Sequence, residues 1–319
     1  MRWEVKAAIQ ATLSRVPFGY TLHRKLQDLG GSSHLDIEDH YTRKRKFLKR
    51  VEEQGLPLAG CEFLEIGTGW HPVLPVLLHL LDASQVTTID VNPWLTRASL
   101  AETFRAFQGI AGRVAADFGR DPARTQTTMD RLCALTEDAS IPIPELLKAA
   151  KIRYGMPVDA CKTPYEAESF DYVVSSNVLE HVPPEIIQGM FTESRRVLKP
   201  GGYNLHHVNP GDHFSVGDSR VTTVNFLRYS PRAWHWIGGS GLAYHNRLRC
   251  VEYARMLEAA GFAVTYVDTE VDPRGLEALE KQRVLPHPDF AGFTNEELSG
   301  NVIDVFARAP LRKTAPEKA

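Results

Sequence analysis

Hydrophobic and polar positions follow two rhythms along this chain, and the rhythm changes near Cys61. Before it the spacing is helical. Trp3, Ala7 and Leu13 mark one short amphipathic helix, and a second is expected from Ile37 to Gln54, with Gly55 as its stop. From Cys61 onward, short apolar runs alternate with helical stretches. CEFLEI (61–66) is a strand-like run, unexpectedly holding Glu65, and it ends at Gly67 and Gly69. PVLPVLLHLL (72–81) reads as a buried helix with Pro72 in its first turn. QVTTID (85–90) is β-rich and ends at Asp90, and Pro93–Phe107 reads as a helix. Strand, helix, strand at this spacing predicts parallel pairing with right-handed crossovers.

Residues 109–151 break the alternation. They contain Asp121-Pro122 and an Ile-Pro-Ile-Pro stretch, and read as an insertion over the sheet edge with a helix on either side. The alternation resumes with IRYGMPVDA (152–160), the strand Phe170–Ser176 and a helix over Pro184–Leu198. Lys199–Gly202 (KPGG) is expected as a turn and Tyr203–Val208 as a strand. A second irregular stretch, 209–248, is rich in His, Tyr, Trp and Arg. Cys250–Ala260 reads as a helix closed by Gly261, and residues 262–271 and 301–310 as the last two strands. The expected organisation is a helical segment over 1–55, an α/β domain over 56–310 whose two insertions form a substrate cap, and a polar, disordered tail over 311–319.

Composition narrows the partners. The net charge is −2 over 319 residues, so no global positive field attracts nucleic acid or an anionic membrane. The local exception is the second helix, where six of the eight residues 43–50 are Lys or Arg. That run suits a phosphate or RNA contact. It equally suits a solvated helix face with Phe47, Leu48 and Val51 turned inward, the commoner use of such runs. Cys61, Cys133, Cys161 and Cys250 form no CxxC pair, so neither a zinc cluster nor a disulfide framework is expected, and a reducing compartment fits. The first residues lack a signal-peptide apolar core. The longest apolar run, Val73–Leu81, is too short to span a bilayer. A cytoplasmic protein with no membrane or nucleic-acid partner is expected, its oligomeric state open.

Glu65-Ile66-Gly67-Thr68-Gly69 carries the first chemical signal. Glycines at a strand-to-helix turn let the backbone approach a ligand, and the following helix aims its N–H groups at the site. Asp90, with Val91 beside it, lies 23 residues past Gly67, where a carboxylate can accept hydrogen bonds from ribose hydroxyls. A dinucleotide fingerprint would place Gly where Pro72 stands, and a Walker loop would need Gly-Lys-Ser/Thr. The turn also offers no cation to a pyrophosphate. A cationic adenosine derivative without phosphates fits better, with Glu65 supplying negative charge.

Downstream stand FDYVVSSNVLEHV (170–182) and RVLKPGG (196–202). With these motifs the chain resembles the class I S-adenosylmethionine-dependent methyltransferases over about residues 56–310. The resemblance implies a Rossmann-like, seven-stranded, mostly parallel sheet with an antiparallel last strand. It implies S-adenosylmethionine as cofactor, with Glu65, Gly67, Thr68 and Gly69 at the methionine end. Asp90 and Val91 would face the ribose, Asp159 and Ala160 the adenine, and Asn177 the sulfonium. His71 departs from the family, many members of which have a small residue there.

Histidines supply the candidate base. His206, His207, Asp212 and His213 cluster in sequence, with His181 and His245 elsewhere. Methyl transfer to a hydroxyl releases a proton, and imidazole titrates near working pH. His181 and His213 are the preferred bases because each follows the C-terminal end of a strand, where α/β sites form. Their spacing matches no standard metal site, so no metal is expected. His207, Tyr229, Tyr244 and Arg247 are candidate substrate contacts, alongside Trp234, Trp236 and Arg249 in a possible lid. The block NFLRYSPRAW (225–234) and YHNRLR (244–249) resembles a subgroup with small-molecule or glycan substrates. The expected reaction is methyl transfer to a small molecule, a natural product or glycan precursor. Alternatives are aminocarboxypropyl transfer or cyclisation from the same cofactor, an RNA or protein methyltransferase, and an inactive cofactor-binding subunit.

Overall fold

The computed structural model describes residues 2–13, 34–238 and 244–312. Its sheet has seven strands: β1 (Glu62–Ile66), β2 (Gln85–Ile89), β3 (Ile152–Gly155), β4 (Phe170–Ser176), β5 (Leu198–Val208), β6 (Ala263–Val271) and β7 (Gly300–Arg308). Their order is β3-β2-β1-β4-β5-β7-β6. β1 pairs in parallel with β2 and β4, and β2 with β3. β7 runs the other way. Ala309 N donates to Gly202 O, while His207 meets Asp304, so numbering rises on one strand as it falls on the other. The α/β fold with a reversed last strand is as the sequence predicts.

The helices are α1 (Trp3–Leu13), α2 (Ile37–Glu53), α3 (Val73–Leu80), α4 (Arg97–Phe118), α5 (Pro122–Glu137) and α6 (Ile143–Ala149). They continue as α7 (Pro184–Val197), α8 (Pro231–Gly238), α9 (Cys250–Ala259), α10 (Pro273–Glu280) and α11 (Asn295–Leu298). Four sequence expectations change. The helix expected at Pro93–Phe107 starts later and runs longer, because Thr96 and Ser99 form a reciprocal capping box and Gly119 ends it with φ 61°. The region 109–151 is helical throughout most of its length; Asp121 caps α5 through the amides of Ala123 and Arg124, so the Asp-Pro pair starts a helix. The KPGG segment lies inside β5, where Gly201 takes φ 81° and bends the strand without ending it. Within 209–248, two 3-10 turns (His213–Val216 and Asn225–Arg228) and α8 replace the expected irregularity. Lys313–Ala319, expected as a disordered tail, lies outside the described residues.

The chain divides into two compact units. One comprises residues 34–176, 192–205 and 308–319, and the other residues 1–33, 177–191 and 206–307. The two helices expected as one N-terminal segment therefore belong to different units. In the first, α2 buries Tyr41, Phe47, Leu48 and Val51, and Asp36 caps it through Asp39 N. In the second, Phe214, Phe226, Leu227, Trp234 and Phe290 form an apolar cluster against which Trp3 packs.

Candidate active site

The glycine turn is held by the carboxylate predicted to face the ribose. Gly67 and Gly69 take φ 88° and 64°, a region costly for residues with a Cβ. Asp90 Oδ2 accepts from Gly69 N at 3.0 Å and Oδ1 from Asn92 N at 2.9 Å. A carboxylate offers about four lone-pair directions, so two remain for hydroxyl donors. Burial raises the Asp90 pKa, and the amides of Asn92, Gly69 and Val91 oppose the rise. Val91 leaves 62% of its apolar surface exposed beside this acid, a surface suited to cover by a flat ring. Val158 N donates to Asp90 O at 3.0 Å, which brings the Asp159-Ala160 pair to the same strand ends. Asp159 spends one oxygen on Cys161 N at 2.8 Å.

Glu65 is buried, and its Oε2 accepts from Thr88 Oγ1 at 2.5 Å; Thr88 in turn meets Thr68 Oγ1 at 2.6 Å. Burial pushes the Glu65 carboxyl up to about 7, against the Thr88 hydroxyl and the charge of Lys44. Lys44 comes from the basic run on α2. It is 7% exposed and donates to Ser176 Oγ at 2.6 Å, at the end of β4. Sequence reading missed this residue. The signal was present: Lys44, Phe47, Leu48 and Val51 fall at i, i+3, i+4 and i+7, so Lys44 shares the inward face. A buried acid beside a buried ammonium suits a zwitterion, which carries both charges on one carbon.

His71, the departure from the family, is bonded to the first turns of α4. Its Nδ1 lies 3.2 Å from both Ser99 O and Thr103 Oγ1, and Nε2 lies 3.8 Å from Glu102. It anchors the start of α4. Trp70 and Trp94 pair at 4.7 Å beside it. These contacts pack the far edge of the glycine turn against the start of α4.

The other unit carries the histidines. Asn177 takes φ 57°, uncommon for a residue with a side chain, and its N donates to His207 O at 2.9 Å. Its Oδ1 is buried with no hydrogen-bond partner among the described residues. Strain and an unmet acceptor at one residue are marks of a ligand contact. His181, His213 and His245 form a three-ring cluster, with centroids 4.9, 5.6 and 4.3 Å apart. His181 Nδ1 faces Tyr244 O at 3.0 Å and His245 Nδ1 faces Asn246 O at 2.6 Å. A carbonyl accepts only, so each Nδ1 carries the proton and each Nε2 presents a lone pair. Loss of water lowers the His181 pKa, and lowers that of His245 well below its usual value. Asn246 fixes the arrangement. Its Nδ2 donates to Leu179 O and Val182 O, and Tyr253 donates to its Oδ1. Glu180 is fully buried, with one oxygen accepting from Asn209 N. Ligand-type atoms of Glu180, His181 and His213 lie within 4.8 Å of one another, a grouping that sequence spacing concealed.

Two expected substrate contacts also make structural bonds. His207 is buried in β5, its Nδ1 2.6 Å from the buried Asp304, a link between β5 and β7. Arg247 donates to Phe226 O and Tyr229 O and lies over the Trp234 and Phe290 rings, tying loops together. Tyr229 packs between Trp3 and Trp234, and Tyr244 supplies the carbonyl that orients His181. Arg249 is buried and donates to three carbonyls, those of Arg247, Pro210 and Leu298.

Residues 128–205 match a family model described as a methyltransferase domain. A segment of 106 residues is 32% identical to a reducing polyketide synthase of Botryotinia fuckeliana, covering 33% of this chain and 4% of that protein. The chain thus spans a small fraction of that relative's length. An S-adenosylmethionine-dependent methyltransferase from Mesorhizobium loti is 17% identical over 82% of this chain and 96% of its own, with a TM-score of 0.44. Phosphoethanolamine N-methyltransferase 2 of Haemonchus contortus, in complex with S-adenosyl-L-methionine, is 17% identical over 85% of this chain and 53% of its own, with a TM-score of 0.47.

Proposed function

We propose that this chain is a class I S-adenosylmethionine-dependent methyltransferase that methylates a hydroxyl oxygen of a small molecule. The observation that carries this reading is the cluster of His181, His213 and His245, in which His181 and His245 turn Nδ1 to backbone carbonyls and leave Nε2 with its lone pair. An acceptor that must lose a proton needs such a group, and an acceptor amine already free of its proton does not.

The cofactor supplies an electrophilic methyl group on a sulfonium. Asp90 would accept from the ribose hydroxyls, and Asp159 and Ala160 would border the adenine. Glu65 balances the methionine ammonium, Lys44 the methionine carboxylate. Asn177, with its unmet Oδ1, would be the contact to the sulfonium. His181 or His213 takes the hydroxyl proton as the oxygen attacks, so alcohol and S-adenosylmethionine give methyl ether, S-adenosylhomocysteine and a proton. Positioning the two reactants supplies roughly 7–11 kcal/mol of barrier reduction. The base supplies about 10²–10⁴-fold.

The test is a mass-spectrometric screen of hydroxylated natural products and sugars with labelled cofactor. A product that gains the labelled methyl on oxygen supports the reading. Transfer to nitrogen or to a protein or RNA, or of the aminocarboxypropyl group, overturns it.

A further inference from the structure

We propose that this protein carries a second ligand site, an anion pocket at the end of the sheet opposite the cofactor residues. It lies wholly in the unit of residues 34–176, 192–205 and 308–319. The cavity measures about 220 Å³ and is walled by His79, Arg120, Arg124, Arg131 and Lys151, with Thr125 and Thr128 at one side. Lys151 precedes β3, and Asp82 lies in the turn before β2, so the pocket opens at the N-terminal ends of these strands. The glycine turn and Asp90 stand at the C-terminal ends.

Two independent observations point to a ligand. The first is charge. Four cations face two carboxylates, Asp82 and Asp121, an excess of two positive charges. Asp82 is engaged by Arg124 at 2.6 Å and Arg120 at 3.7 Å, and Asp121 is occupied with capping α5. Arg131 donates to Ala149 O, while the Lys151 ammonium has no hydrogen-bond partner among the described residues. The second is unmet hydrogen bonding. Both ring nitrogens of His79 and the Nε of Arg120 are buried without partners among the described residues. A buried imidazole with neither bond made is unfavourable, and such groups call for a bound water or ion. Lys151, Arg131 and Arg124 all hold His79 in its neutral form, together with burial, and only Asp82 opposes them. A bound dianion answers both needs. It accepts from the His79 N–H and Arg120 Nε, and it balances Arg131 and Lys151. A phosphate monoester of a small metabolite has that charge and size, which makes this an effector or second-substrate site.

The probes are inorganic phosphate and a sugar phosphate, titrated into the full chain by calorimetry, with ¹⁵N NMR of His79. Saturable binding is expected, with the His79 resonances moving in step with the heat and the His79 pKa rising. The Arg131→Gln/Lys151→Gln double variant should weaken binding at least tenfold and leave S-adenosylmethionine affinity unchanged. Both side chains are at the surface, so folding is retained, and thermal melting checks it. Unsaturable heats, or equal binding in the variant, would overturn the proposal. So would a single-stranded oligonucleotide that binds more tightly than either probe, because the pocket would then be part of a nucleic-acid track. Since cofactor affinity is measured in the same samples, failure of this site and failure of the methyltransferase reading are separable.

Discussion

At the residue scale, three positions make distinct predictions. Glu65 has its pKa raised to about 7 by burial. Its ionised form attracts the cationic end of the cofactor, so affinity for S-adenosylmethionine should strengthen as pH rises through about 7. Without ligand the sign reverses. A carboxyl whose folded pKa is raised favours the fold below its unfolded value, and loses that contribution as pH climbs through the folded one. Glu65→Gln should therefore melt higher than wild type at pH 8, less so at pH 5, while binding cofactor roughly tenfold more weakly. Paired melts and titrations across that range decide it. Lys44→Met should raise the KM for cofactor with little effect on kcat, which steady-state kinetics resolve; an unchanged KM would remove Lys44 from the site. His181 has a lowered pKa. The rate should hold from neutral pH down to below the usual imidazole value near 6.5, then fall as the ring takes a proton. His181→Gln should cost about 10²–10⁴-fold and remove that acidic limb from the pH–rate profile.

At the element scale, β5 illustrates how a turn signal can be absorbed by a sheet. Lys199-Pro200-Gly201-Gly202 has turn composition, yet the segment lies within β5, and at Gly202 the backbone passes too close to β4 for a side chain. A Cβ on Gly202 would stand 2.7 Å from Asp171 O, which cannot yield without moving the strand. Gly202→Ala should destabilise by about 1–3 kcal/mol, the usual cost of overpacking, measurable as a shifted denaturant midpoint at unchanged slope. The region 109–151 was opaque for a related reason. Its Asp-Pro and Ile-Pro pairs mark helix starts here, as the Asp121 cap shows, and the same residues also mark loops.

At the scale of the whole molecule, cofactor binding should stabilise the fold. At a hundredfold excess over Kd the gain is about 2.7 kcal/mol, several degrees in Tm for a chain of this size. S-adenosylmethionine should produce that shift and NAD should not. Among the described residues no helix is long and apolar enough to cross a membrane.

The resemblance to a known family implied the seven-stranded sheet with its reversed end; the sequence by itself determined the strand and helix alternation and the glycine turn with Asp90. These are local: period, turn chemistry and motif spacing are written in consecutive residues. It also named His181 and His213, though their meeting with His245 and Glu180 spans residues 180 to 245. Only the tertiary structure decided which polar groups were already spent. His207 and Arg247 read in sequence as ligand contacts, and the fold bonds His207 Nδ1 to Asp304 and Arg247 to the carbonyls of Phe226 and Tyr229. Lys44 looked like one charge in a solvated run until helix α2 turned it inward toward Ser176. A side chain's chemistry follows from its type, but its availability depends on partners distant in sequence, and those exist only once the chain has folded.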